Sequence, residues 1–104
     1  MIRDDVEKVE SVEDCIDTAT VDANGEEEQL MGWEACLVDV LSDINEVEFL
    51  GNIVQFTGLQ MKGQYLLACV ESDKRKALID ISSIEFKDLA PHQELWVEAW
   101  SKWL

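Results

Sequence analysis

The sequence is short of the residues that most active-site chemistry needs. It has one histidine, His92, so a site needing two imidazoles cannot be built within one chain. Its cysteines, Cys15, Cys36 and Cys69, are odd in number, and no two lie within metal-motif spacing. They read as reduced, partly buried thiols, and no local signature marks a cysteine–histidine nucleophile. A glycine-rich phosphate loop and a nucleophile elbow are both missing. A chain of 104 residues also offers little space for a deep cleft, so an enzyme is not expected. No apolar run reaches the roughly 18 residues of a transmembrane helix. The opening "MIRDDVEKVE" is acidic where a secretory signal would be basic and then apolar. The expectation is a soluble, intracellular, cytoplasmic protein with no membrane partner.

Basic residues are also scarce: 8 against 23 acidic ones, for a net charge of −15. The excess is one-sided. Residues 1–48 hold 16 acidic and 2 basic residues, a net of −14, whereas residues 49–104 hold 7 and 6, a net of −1. Phosphates would be repelled, so direct binding to DNA or RNA is disfavoured. Such a field attracts cations and basic protein surfaces.

What remains is enough for a folded domain, because 47% of the residues are hydrophobic. Residues 1–14 have low hydrophobicity and many charges, and are expected as a frayed acidic tail. Residues 15–104 are expected as a single α+β domain. Residues 15–22, "CIDTATVD", are rich in β-branched side chains and suggest a short first strand. In "ANGEEEQLMGWEACLVDVL", Leu30, Trp33, Leu37 and Leu41 recur at helical spacing, predicting an amphipathic helix. Asn24 is its expected N-cap, with Glu27 three residues on as in a capping box. Glu26, Glu27 and Glu28 then occupy the first turn, where the helix dipole favours negative charge. Gly32 is unfavourable inside a helix and suggests a close backbone approach.

From Glu46 the pattern becomes strand-like. "EVEFL" and "NIVQFTG" flank Gly51, a bulge or bend; "GLQMKG" reads as a turn; "QYLLACVE" and "ALIDI" read as strands around a charged "SDKRK" turn, and "SSIEF" follows a tight corner. Four to five short strands imply a small, strongly bent antiparallel sheet or partial barrel. In "APHQELWVEAWSKWL", Pro91 suits a first helical position, and Trp96, Trp100 and Trp103 share one face of a terminal helix. Glu98 and Lys102 form an i, i+4 pair on another face.

The stretch "DANGEEEQLMGW" gathers four carboxylates in twelve residues. Calcium is held by six to eight oxygens from carboxylates, carbonyls and amides. With Gly25 on the invariant glycine of an EF-hand loop, Asp22 and Asn24 fall on ligand positions. Thr20 and Met31, however, fall on the first and twelfth positions, where acids are needed. A true EF-hand is therefore not expected.

"VDANGEEEQLMGW" resembles the signature of the CcbP-type calcium-binding proteins of cyanobacteria. "EVEFLGN", "ALIDISSIEF" and the terminal "WVEAWSKWL" are similar to successive segments of that family, so the resemblance covers roughly residues 15–104. It departs from the family where "LSDINEVEF" replaces a Phe-Pro-Phe-like segment, where "WEACL" replaces a tyrosine-rich stretch, and where Lys62 replaces an acidic run. The resemblance implies a bent, SH3-like sheet and weak to moderate calcium binding, with one or more of the family's sites lost. Carried over by position, the acidic run maps to Asp22, Glu26, Glu27 and Glu28. Asn24 joins them on the strength of its side-chain oxygen, and Asp43, Glu46 and Glu48 form a second acidic stretch.

Two functions stay open. One is a calcium buffer or sensor that uses Asp22, Asn24, Glu26, Glu27, Glu28, Asp43 and Glu46. The other is an acidic inhibitor or nucleic-acid mimic that blocks the basic groove of a partner protein by charge complementarity. A cation site converges its carboxylates on one point, and a mimic spreads them along a face.

Overall fold

A computed structural model describes residues 8–21 and 23–103. Among these residues are three α-helices and a five-stranded antiparallel sheet, an α+β fold whose sheet is open and not closed into a barrel. The chain forms two compact units. One runs up to Leu41 and resumes at Leu89; the other is Ser42–Asp88.

The first unit is helical. Helix α1 spans Val12–Thr20. Ser11 is its N-cap, and its Oγ accepts from the Asp14 N–H at 3.1 Å. Asp14 Oδ2 in turn accepts from the Glu10 N–H at 3.0 Å, one residue before the cap, so the chain entering the helix is tied to its first turn. This corrects the strand expected over residues 15–22. The β-branched residues there are outweighed by the cap and by Cys15 and Ala19, which sit four apart and are both buried. Thr20, an indifferent helix former, donates its hydroxyl to the Ile16 carbonyl at 2.7 Å. Residues 12–14, read as tail, are the first turn of this helix.

Helix α2 spans Glu26–Val40 and buries Leu30, Trp33, Cys36, Leu37 and Val40 along one face, as the spacing predicts. Gly32 is there for contact with α1. A Cβ at this position would lie 2.0 Å from the Ala19 carbonyl oxygen. Helix α3 spans Pro91–Trp103 and buries Trp96 and Trp100. Trp33 meets Trp96 edge-on with centroids 5.8 Å apart and Trp100 edge-on at 5.5 Å, and it also lies 5.5 Å from Trp103. Edge-to-face pairs of this kind add to the area that the rings bury. The buried Gln93 joins two helix ends: its Nε2 donates to the Val40 carbonyl at 3.0 Å, and its Oε1 accepts from the Ala90 N–H at 2.8 Å. The Glu98–Lys102 pair closes at 3.3 Å on the exposed face.

The second unit is a sheet in the order β4-β3-β2-β1-β5. Its strands are β1 (Glu46–Phe49), β2 (Asn52–Lys62), β3 (Tyr65–Ser72), β4 (Arg75–Asp80) and β5 (Glu85–Phe86), with a 3₁₀ turn at Ile81–Ser83. Phe49 pairs with Asn52, so Leu50 and Gly51 alone make the first turn. Both have positive φ, 52° and 81°, as a type I′ hairpin requires. The segment "GLQMKG" is strand and not turn, because β2 runs on to Lys62. The bulge falls within β2, between Phe56 and Gly58. Strand β3 alternates strictly, with Leu66, Ala68 and Val70 buried on one face. Phe56 and Phe86 pack edge-on at 5.9 Å in the same core.

Two outcomes are expected in solution. Gly32→Ala should cost at least 1–3 kcal/mol in chemical denaturation, the usual range for overpacking, because the atom it strikes is backbone. Burial, reinforced by Asp14 and Cys36, pushes the Cys15 thiol up to about 12. The unfolded chain loses that proton near pH 9 and the folded chain keeps it. Stability should therefore fall as pH rises from about 9 towards 12. At neutral pH a thiol reagent should label the half-buried Cys69 first and leave Cys15 unreacted until the protein opens.

Candidate functional site

The acidic loop is short because α1 ends at Thr20 and α2 begins at Glu26. The Thr20 carbonyl accepts from the Ala23 N–H at 3.1 Å, which turns the chain back at once. The N-cap of α2 is Gly25, in extended conformation and without a side-chain cap, and not Asn24. The box expected between Asn24 and Glu27 is displaced by one residue. Glu28 Oε2 accepts from the Asn24 N–H at 2.9 Å, the same back-reach that Asp14 makes at the start of α1. A carboxylate three residues into a helix can close on whichever preceding amide is free, so residue type alone does not fix the register.

Asn24, Glu26, Glu27 and Glu28 are all exposed. Consecutive helical residues point about 100° apart, so three adjacent glutamates fan outward and do not focus on a point. Their negative charge is stabilised by the partial positive charge of the helix start. Asp22 lies outside the described residues.

Asp43 and Glu46 belong to the sheet unit and are exposed. Glu46 begins β1 and stands opposite Gln55, which stands opposite Glu71, which stands opposite Lys76. Directly opposed residues of an antiparallel sheet share a face, so these four form one polar row across four strands. At the β1–β3 end of the row an open groove of about 340 Å³ is lined by Glu46, Gln55, Glu71 and Asp73 and also by the cationic Lys74. Sequence reasoning named Glu46 and missed Glu71 and Asp73. The link between them is a strand register, which leaves no trace in linear spacing. Glu48, in the second acidic stretch, has a separate task. It sits opposite Glu85, a like charge, and pairs with Lys87 Nζ at 2.6 Å. The hydrogen bond and charge of Glu48 raise the Lys87 pKa. Among the described residues, no three His, Cys, Asp or Glu side chains converge closely enough to hold a metal ion.

Chemically, the arrangement offers carboxylate oxygens in two places: the exposed first turn of α2, and the groove at the end of the β1–β3 strands.

No protein-family model matches the chain, and no curated protein matches it by sequence. Among solved structures, the crystal structure of Anabaena CcbP is similar, with a TM-score of 0.75 and 22% sequence identity. The match covers 92% of this chain and 93% of that one. At this identity the likeness establishes a shared fold: the chain has the CcbP-like α+β architecture over nearly its whole length.

Proposed function

We propose that this chain is a small, non-catalytic calcium-binding protein. Its main cation contacts are the loop before α2 and the first turn of that helix: Asp22, Asn24, Glu26, Glu27 and Glu28. The observation that carries this reading is the CcbP-like fold in a chain whose "EEEQLMGW" stretch resembles that calcium-binding family. Calcium suits exposed carboxylates, because it accepts irregular shells of oxygen and retains water where the protein supplies too few ligands. Physical chemistry limits the strength. The start of α2 carries partial positive charge, which disfavours a cation close to its amides. Glu28 is also committed to the Asn24 N–H. Binding therefore rests on Asp22 and on the exposed Glu26 and Glu27, and it is weak to moderate. Asp43 and Glu46 supply a second, separate acidic contact.

The inhibitor reading has one observation in its favour. Among the described residues the carboxylates spread and do not converge, which is the arrangement that fits the basic groove of a partner protein.

Calorimetric titration of the chelator-treated protein with calcium, using magnesium as control at moderate salt, tests the proposal. We expect saturable binding that prefers calcium. Glu26→Gln with Glu27→Gln should weaken it several-fold and leave the circular dichroism unchanged, since neither residue caps the helix. An unchanged calcium isotherm in this variant would defeat the site assignment. Binding that salt erases, with no preference for calcium, would favour the partner surface.

A further inference from the structure

Strand β4 (Arg75–Asp80) is an open edge of the sheet, and it is long enough to take another strand. The opposite edge, β5, has only two residues. Ser72 pairs with Arg75 across the two-residue turn Asp73–Lys74, whose φ values of 49° and 68° are those of a type I′ hairpin. The pair that closes such a turn is hydrogen-bonded, and hydrogen-bonded pairs then alternate along the ladder. Arg75, Ala77 and Ile79 therefore direct their backbone groups to β3. Lys76, Leu78 and Asp80 direct theirs to the open side. The side chains of these last three share one face of the sheet.

We propose that β4 pairs antiparallel with β4 of a second copy of this chain, about a two-fold axis through Leu78. A two-fold axis perpendicular to a continuous sheet keeps each face on its own side, so it pairs positions of like parity. Symmetry about residue 78 sets Leu78 against the second copy's Leu78, and Lys76 against the second copy's Asp80, twice over. All three positions are ones whose N–H and C=O groups face outward, so each opposed pair exchanges hydrogen bonds. Leu78 is 47% exposed in the single chain and gains an apolar neighbour on the axis. Asp80 is held in place, because its Oδ1 accepts from the Ser82 N–H at 2.9 Å and from the Ser82 hydroxyl at 2.7 Å. An apolar pair flanked by two opposite-charge pairs is favourable cross-strand chemistry.

Lysine on an edge strand ordinarily deters pairing. Here it meets a carboxylate at the symmetry-related position, which makes the edge complementary to itself. The net charge of −15 opposes association in general. Residues 71–80, however, hold three acidic and three basic residues and are locally neutral. The contact is one six-residue strand, well below the size of a standard interface, so the dimer is weak and depends on concentration.

Sedimentation velocity under reducing conditions, from micromolar to millimolar protein, reads this directly. The weight-average mass of the wild type should rise towards that of a dimer. Lys76→Glu, which sets like charges opposite each other, and Leu78→Lys should each weaken the association about tenfold or more. Leu50→Lys, at an exposed turn residue distant in the sheet order, should have no effect. Circular dichroism confirms the fold, and Lys76→Glu, a surface charge change, carries the test if Leu78→Lys unfolds. A wild type that stays monomeric at millimolar concentration overturns the proposal. So does association that Lys76→Glu leaves unchanged.

Discussion

The helical unit depends on how α2 is seated. On one side Gly32 brings its backbone against the Ala19 carbonyl of α1, closer than any side chain would allow. One residue on, Trp33 is fully buried and serves as the common neighbour of Trp96, Trp100 and Trp103 of α3. A glycine followed by a tryptophan thus gives α2 a close backbone approach to α1 and a ring cluster with α3. Gln93 then secures the far end: its side chain donates to the Val40 carbonyl at the end of α2 and accepts from the Ala90 N–H just before α3. With both flanks of α2 fixed, its first turn faces solvent, and Glu26, Glu27 and Glu28 are displayed there without being needed for packing.

That display shapes the functional argument. The carboxylates sit where the helix dipole favours them, and this is part of why the chain tolerates so many in a row. The same dipole resists a cation close to the amides. A cation bound at this end would be held by side chains extended into water. The sheet unit shows a contrasting arrangement: Glu46 and Glu71 flank Gln55 across three strands, with Asp73 at the neighbouring turn. Its carboxylates are brought together by strand register and not by sequence adjacency. Of the acidic first half of the sequence, Glu26, Glu27 and Glu28 lie in the first setting and Glu46 in the second, where Glu71 and Asp73 come from the nearly neutral second half.

Much of this was legible in the sequence, and the exceptions have physical causes. The spacing of Leu30, Trp33 and Leu37 marked α2, and that of Trp96, Trp100 and Trp103 marked α3, because both helices bury one face. Gly32 read as a close approach because glycine in a helix calls for a reason. The strand content after Glu46 followed from alternation and turn residues. Helix α1 is masked in the sequence by the β-branched residues of "CIDTATVD", which favour a strand, although the Ser11–Asp14 pair is a capping signal. The turn assigned to "GLQMKG" was wrong because Gly58 marks a bulge within β2, and one glycine signals either feature. Asn24 precedes the N-cap Gly25 and Glu26–Glu28 form the first turn of α2, so the helix starts one residue later than the capping pattern suggests. Glu71 and Asp73 were not foreseen, since only pairing across β1, β2 and β3 brings them near Glu46.

The most direct measurement is an amide-resolved NMR titration with calcium, matched by one with magnesium at the same ionic strength. The account predicts saturable shifts concentrated at residues 23–28, with a smaller, separate response at Asp43 and Glu46, and weaker effects from magnesium. If residues 23–28 stay still while Glu46, Glu71 and Asp73 move, the cation belongs to the sheet groove and the central claim fails. If all amides drift together and identically with either metal, the acidic stretch is not a calcium site.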